Sequence, residues 1–80
     1  MHQSFVICLR HDDYPASLGR RKIYVRLHDP EAEQHHYVRV IDESGDDYLY
    51  PDAYFMAITL SEELQRAVID AAYNDARARD

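Results

Sequence analysis

Between Arg39 and Phe55 the chain reads RVIDESGDDYLYPDAYF, which puts five acids and four aromatic rings into seventeen residues without a lysine. Carboxylates beside phenol rings can form a recognition surface, in which the rings supply contact area and the acids select arginine or lysine on a partner. On that reading Asp42, Glu43, Asp46, Asp47 and Asp52 ring a groove lined by Tyr48, Tyr50 and Tyr54. The same residues also suit a hairpin whose acids are solvated and whose tyrosines alternate between core and rim.

Other residue types offer weaker chemistry. His28, His35 and His36 flank a short turn, and His11 is followed by Asp12 and Asp13, a donor set compatible with zinc or nickel. No HExxH or paired Cys/His spacing accompanies them, and adjacent His35 and His36 tend to point apart, so solvated loop histidines are expected. The single cysteine, Cys8, cannot form an internal disulfide and sits mid-strand among apolar neighbours. That favours a buried, inert thiol in a reducing compartment, whereas a nucleophile needs exposure beside a base. Asp12 and Asp13 are paired carboxylates without a cleft, and there is no phosphate-binding glycine loop. Neither an enzyme nor a cofactor is expected. Arg20, Arg21 and Lys22 are expected to pair with acids at the surface, at about 0.5 kcal/mol per pair.

The elements that must carry these residues belong to one domain spanning residues 1–80, near the lower size limit for a fold without disulfides or metal. The chain is 46% apolar and 30% charged with two glycines, a globular composition. Its net charge of −6 is uneven: residues 1–40 sum to +1 and residues 41–80 to −7. A field of that sign repels phosphate backbones, which argues against direct DNA or RNA binding, and attracts cationic segments of other proteins. No apolar stretch approaches the ~18 residues that span a bilayer, and MHQSF lacks the segments of a signal peptide, so a cytoplasmic protein is expected.

SFVICLRH reads as a first strand, apolar at every position from Phe5 to Leu9 and therefore covered on both faces, with something lying over Val6 and Cys8. DDYPASLGRR is a loop by its turn formers. KIYVRLH alternates, with Ile23, Val25 and Leu27 facing the core and Tyr24, Arg26 and His28 facing out. DPEAEQHH is a short helical turn capped by Asp29, with Pro30 at its first position. YVRVI and YLY are strands joined by a turn in which Gly45 supplies positive φ; Pro51 ends the fourth strand and YFMAIT is a fifth. From Ser61 a helix begins, with Leu64, Ala67, Val68, Ala71 and Ala72 as its apolar face, Arg77 and Arg79 near its end, and Ile69 and Tyr73 off that stripe.

This order of parts resembles an SH3 domain. DDYPA is similar to the opening of that family's RT loop, SLGRRKIYVRL to the segment closing it, and YPDAYF to its Pro-x-x-Tyr 3₁₀ turn. The resemblance implies Tyr14, Pro51 and Tyr54 as groove residues, although the tryptophan of such grooves has no counterpart and His36 or Tyr37 stands in its place. At a closer level YPASL, RKIYVRLHDPEA and RVIDESGDDYLYP resemble a group of small bacterial proteins with no assigned activity. The expected fold is mainly β: a five-stranded SH3-like barrel over about 4–59 and a C-terminal α-helix over about 61–77. The expected work is protein recognition through Asp12, Asp13, Tyr14, Asp46, Asp47, Tyr48, Tyr50, Pro51 and Tyr54, and a homodimer sealed by the helix or a strand edge is compatible with it. The alternatives are an acidic mimic of a nucleic acid and, further off, a metal-binding protein.

Overall fold

The computed structural model describes residues 3–74. Five antiparallel strands form one sheet in the order β4-β3-β2-β1-β5: β1 Gln3–Cys8, β2 Ile23–Leu27, β3 Tyr37–Ile41, β4 Asp47–Pro51 and β5 Phe55–Ile58. A one-turn helix α1, Pro30–Gln34, connects β2 to β3, a 3₁₀ turn at Asp52–Tyr54 leads into β5, and α2 runs over Glu62–Asn74. The helical extension expected to residue 77, with Arg77 and Arg79, lies outside the described residues. Among the described residues β4 and β5 are the two sheet edges, with no ladder joining them.

The local signals act as their chemistry dictates. Asp29 Oδ1 accepts from the Ala32 N–H at 3.1 Å and caps α1, with Pro30 in its first turn. That bond, together with Arg39 beside it, holds the Asp29 carboxyl below the usual carboxylate range. Ser61 Oγ accepts from the Leu64 N–H at 3.2 Å and caps α2. Gly45 takes φ 88°, the left-handed conformation a tight turn requires. Two non-glycine residues share that region: Arg21 at φ 69°, and His36 at φ 66° just past the end of α1.

The sheet is buried on both faces, and the division differs from the sequence expectation. Val6 and Cys8 face a core that also holds Leu18, Tyr24, Val38, Val40, Tyr50 and Tyr54. The face covered by α2 is the other one, where Phe5, Val25 and Ile41 meet Val68, Ile69 and Ala72. Tyr24, expected to face out, is therefore buried, because β2 has core on either side. The helix is also rotated from its expected orientation. Leu64 is 53% exposed, Ala67 and Ala71 are exposed, and Ile69 takes their place against the sheet. The longer Ile69 side chain removes more apolar area from water than either alanine can, at about 25 cal/mol per Å². No helix among the described residues is long and apolar enough to cross a membrane.

Candidate functional site

The loop over residues 9–22 folds back toward the turn between β3 and β4, and the acid–tyrosine run fastens the two together. Leu18, 1% exposed, sits in the tyrosine core, while His11 Nδ1 donates to the Leu18 carbonyl at 2.9 Å. The Glu43 N–H donates to the Ser17 carbonyl at 3.0 Å. The Tyr50 hydroxyl donates to Asp42 Oδ2 at 2.5 Å and lies 3.0 Å from Ser17 Oγ. The Tyr24 hydroxyl donates to Glu43 Oε2 at 2.5 Å and accepts from the Gly19 N–H at 2.7 Å. Asp42 Oδ1 accepts from both the N–H and the hydroxyl of Ser44, which fixes the turn. Among the described residues no buried side-chain nitrogen or oxygen lacks a hydrogen-bond partner. Burial, then the neighbouring Asp42 carboxylate, pushes the Tyr50 hydroxyl up to about 12. Burial and Glu43 raise Tyr24 further still.

The nine expected surface residues are thereby divided. Tyr50 and Tyr54, at 3% and 6% exposure, are core residues and line no groove at the surface: Tyr50 enters the core from β4 and Tyr54 from the 3₁₀ turn before β5. Tyr14 is 39% exposed and stands edge-on to both, its ring centroid 4.9 Å from that of Tyr50 and 6.3 Å from that of Tyr54. Arg10 lies over the Tyr54 ring at 5.5 Å and pairs with Asp12. Asp13 is exposed in the same loop. Asp46, Asp47 and Tyr48 are exposed at the hairpin and Pro51 is half-buried. Asp47, opposite Ile41 in the ladder, lies on the α2 side of the sheet and pairs with Arg39 at 3.0 Å, whereas Tyr48, opposite Val40, points to the other side. The acids and rings thus do not make one surface. Of the basic cluster, Lys22 meets Glu43 at 3.3 Å.

A concavity lies between α2 and the sheet. It has a volume of about 410 Å³. Ile23 and Val25 of β2, Ile41 of β3, and Ala67, Val68 and Ala71 of α2 line it. Lys22, Glu43, Ser44 and Gly45 stand at the mouth. The groove exists because the helix presents alanine at two positions four apart, so the side chains there are too short to reach the sheet. Sequence reasoning assigned both alanines to the packed stripe and missed it. The signal that could have found it is that the larger Val68 and Ile69 lie between the two alanines, Ala67 and Ala71.

Cys8 is fully buried, and burial pushes its thiol up. His28, His35 and His36 are exposed, and no group of three His, Cys, Asp or Glu side chains among the described residues is placed to hold a metal ion. What the geometry offers is a largely apolar groove with charged residues in its lining, next to a tyrosine-fastened turn. No protein-family model, curated protein or solved structure matches this chain.

Proposed function

We propose that the protein is a small recognition module whose groove between α2 and the sheet takes an apolar side chain from a segment of another protein, with arginine or lysine on either side of that anchor. The observation that carries this reading is the groove itself. Its 410 Å³ falls in the range of about 300–1,000 Å³ typical of binding sites, and its lining includes the core residues Val25 and Ile41, at 0% and 4% exposure. Charge supplies the partner's chemistry. Asp46 lies in the turn adjoining the groove and Asp70 is one helical turn from Ala67, both in the half of the chain that carries −7, while Glu43 at the groove is already paired with Lys22. The loop between β1 and β2, the 3₁₀ turn after Pro51 and the five-stranded antiparallel sheet support reading the fold as SH3-like. An acidic mimic of a nucleic acid would need a row of free carboxylates. Asp12, Asp29, Glu33, Glu43 and Asp47 are instead each engaged by a neighbouring cation.

Panning a random peptide library on the folded protein tests this. Enriched peptides should share one large apolar residue flanked by Arg or Lys. Ala71→Trp, which fills the groove from an exposed helix position, should weaken their binding at least ten-fold with the circular dichroism spectrum unchanged. The loop variant Tyr14→Ala with Asp13→Lys should bind as wild type. Peptides indifferent to Ala71→Trp, or lost in the loop variant, would place recognition on another face.

A further inference from the structure

The two sheet edges are unlike. The β4 edge is guarded by Asp46, Asp47, Pro51 and Asp52, the charges and proline that keep strands from pairing with one another. The β5 edge has no such guard. From Ala53 to Ser61 the chain carries no charged residue, although the whole protein has a net charge of −6. Met56, at 60% exposure, is the most exposed of the large apolar side chains among the described residues.

The backbone of β5 can be oriented from its hydrogen bonds. The Leu9 N–H donates to the Tyr54 carbonyl, and the Cys8 N–H donates to the carbonyl of Lys22, the residue just before β2. Alternation along an antiparallel ladder then turns Ile7 toward β5, with Met56 and Ile58 as its and Phe5's hydrogen-bonded partners. The N–H and C=O of Ala57 therefore point to the open side. Phe55 also turns its carbonyl outward, but its N–H is already donated to the Asp52 carbonyl in the 3₁₀ turn.

We propose that β5 is a self-association edge, on which two copies pair antiparallel about a twofold axis passing midway between their two Ala57 residues. Ala57 exchanges N–H···O=C bonds with Ala57 of the second copy, and Met56 falls opposite Ile58 of the second copy. That is a non-hydrogen-bonded pair, where side chains approach most closely. Centring the pair on Met56 would require the Phe55 N–H, which is occupied. A second copy fits better than a charged partner because an uncharged edge brings no like charges together, whereas pairing β4 with itself would set aspartates against each other. A four-residue edge buries less than the roughly 1,200 Å² of a stable interface, so the association is reversible and concentration-dependent.

Sedimentation velocity across micromolar to millimolar concentration tests this. The mass should rise from 9.4 kDa toward twice that value, and the Ala57 amide should gain hydrogen-exchange protection in the concentrated sample. Met56→Lys, at an exposed position that leaves the backbone unchanged, should keep the protein monomeric throughout, while the groove variant Ala71→Trp should dimerise as wild type. A wild-type monomer at millimolar concentration would overturn the proposal. So would a dimer that survives Met56→Lys, or one lost in Ala71→Trp, which would indicate pairing through the helix.

Discussion

Replacing Asp42 with alanine is expected to destabilise the fold by about 2–4 kcal/mol, a large part of what an 80-residue domain possesses. Asp42 is 6% exposed and accepts from the Tyr50 hydroxyl and twice from Ser44. Its removal takes away three hydrogen bonds at once, leaving the buried Tyr50 hydroxyl with Ser17 as its one remaining partner and the turn without the acceptor that fixes Ser44. Tyr50→Phe should cost less, about 1–3 kcal/mol, because it removes the donor while Ser44 still serves the carboxylate. The double variant should be less destabilised than the two singles together, since both act on one bond. Urea unfolding of the four proteins measures this. Strict additivity would mean that the Asp42–Tyr50 contact does not couple the turn to the core.

Alkaline pH should remove stability through the same hydroxyls. In the unfolded chain tyrosine ionises near 10, whereas burial and Asp42 hold Tyr50 neutral until about 12. Below about pH 10 both states carry the proton and the full stabilisation is present. Between pH 10 and about 12 the unfolded chain ionises first, and the advantage of the folded state falls, by less than the ~2–3 kcal/mol an unscreened shift would give. Tyr24, raised in the same direction, adds to the loss. Denaturation midpoints at pH 8, 10 and 11 should therefore decline in the wild type, and less steeply in Tyr50→Phe. A variant that declines in parallel with the wild type would show that Tyr50 is already solvated in the fold.

The parts of this protein governed by local chemistry were legible in its sequence. The Asp29 and Ser61 caps, the Gly45 turn, the proline closing β4 and the presence of five strands and a terminal helix all follow from short-range preferences. The side of an element that faces inward was harder to read. In β2 the alternation of Ile23, Val25 and Leu27 with Tyr24 looked like one buried face, yet a tyrosine whose hydroxyl meets Glu43 and Gly19 satisfies the interior as well as an aliphatic residue does. In α2 two stripes one residue apart were nearly equivalent in apolar content, and tertiary packing chose the one with Ile69. The acid–tyrosine run misled for the same reason. Partners such as Ser17 and Leu18 come from a loop more than twenty residues earlier in the chain, and no local pattern announces them.

The central claim is that this run is an interior fastening, with recognition left to the groove beside it. Nitration of the folded protein by tetranitromethane at neutral pH, mapped by mass spectrometry, tests it most directly. Tyr48 and Tyr37, at 51% and 45% exposure, should be modified, while Tyr24, Tyr50 and Tyr54 should stay unmodified until denaturant is added. Modification of Tyr50 or Tyr54 in the folded protein as fast as Tyr48 would contradict it.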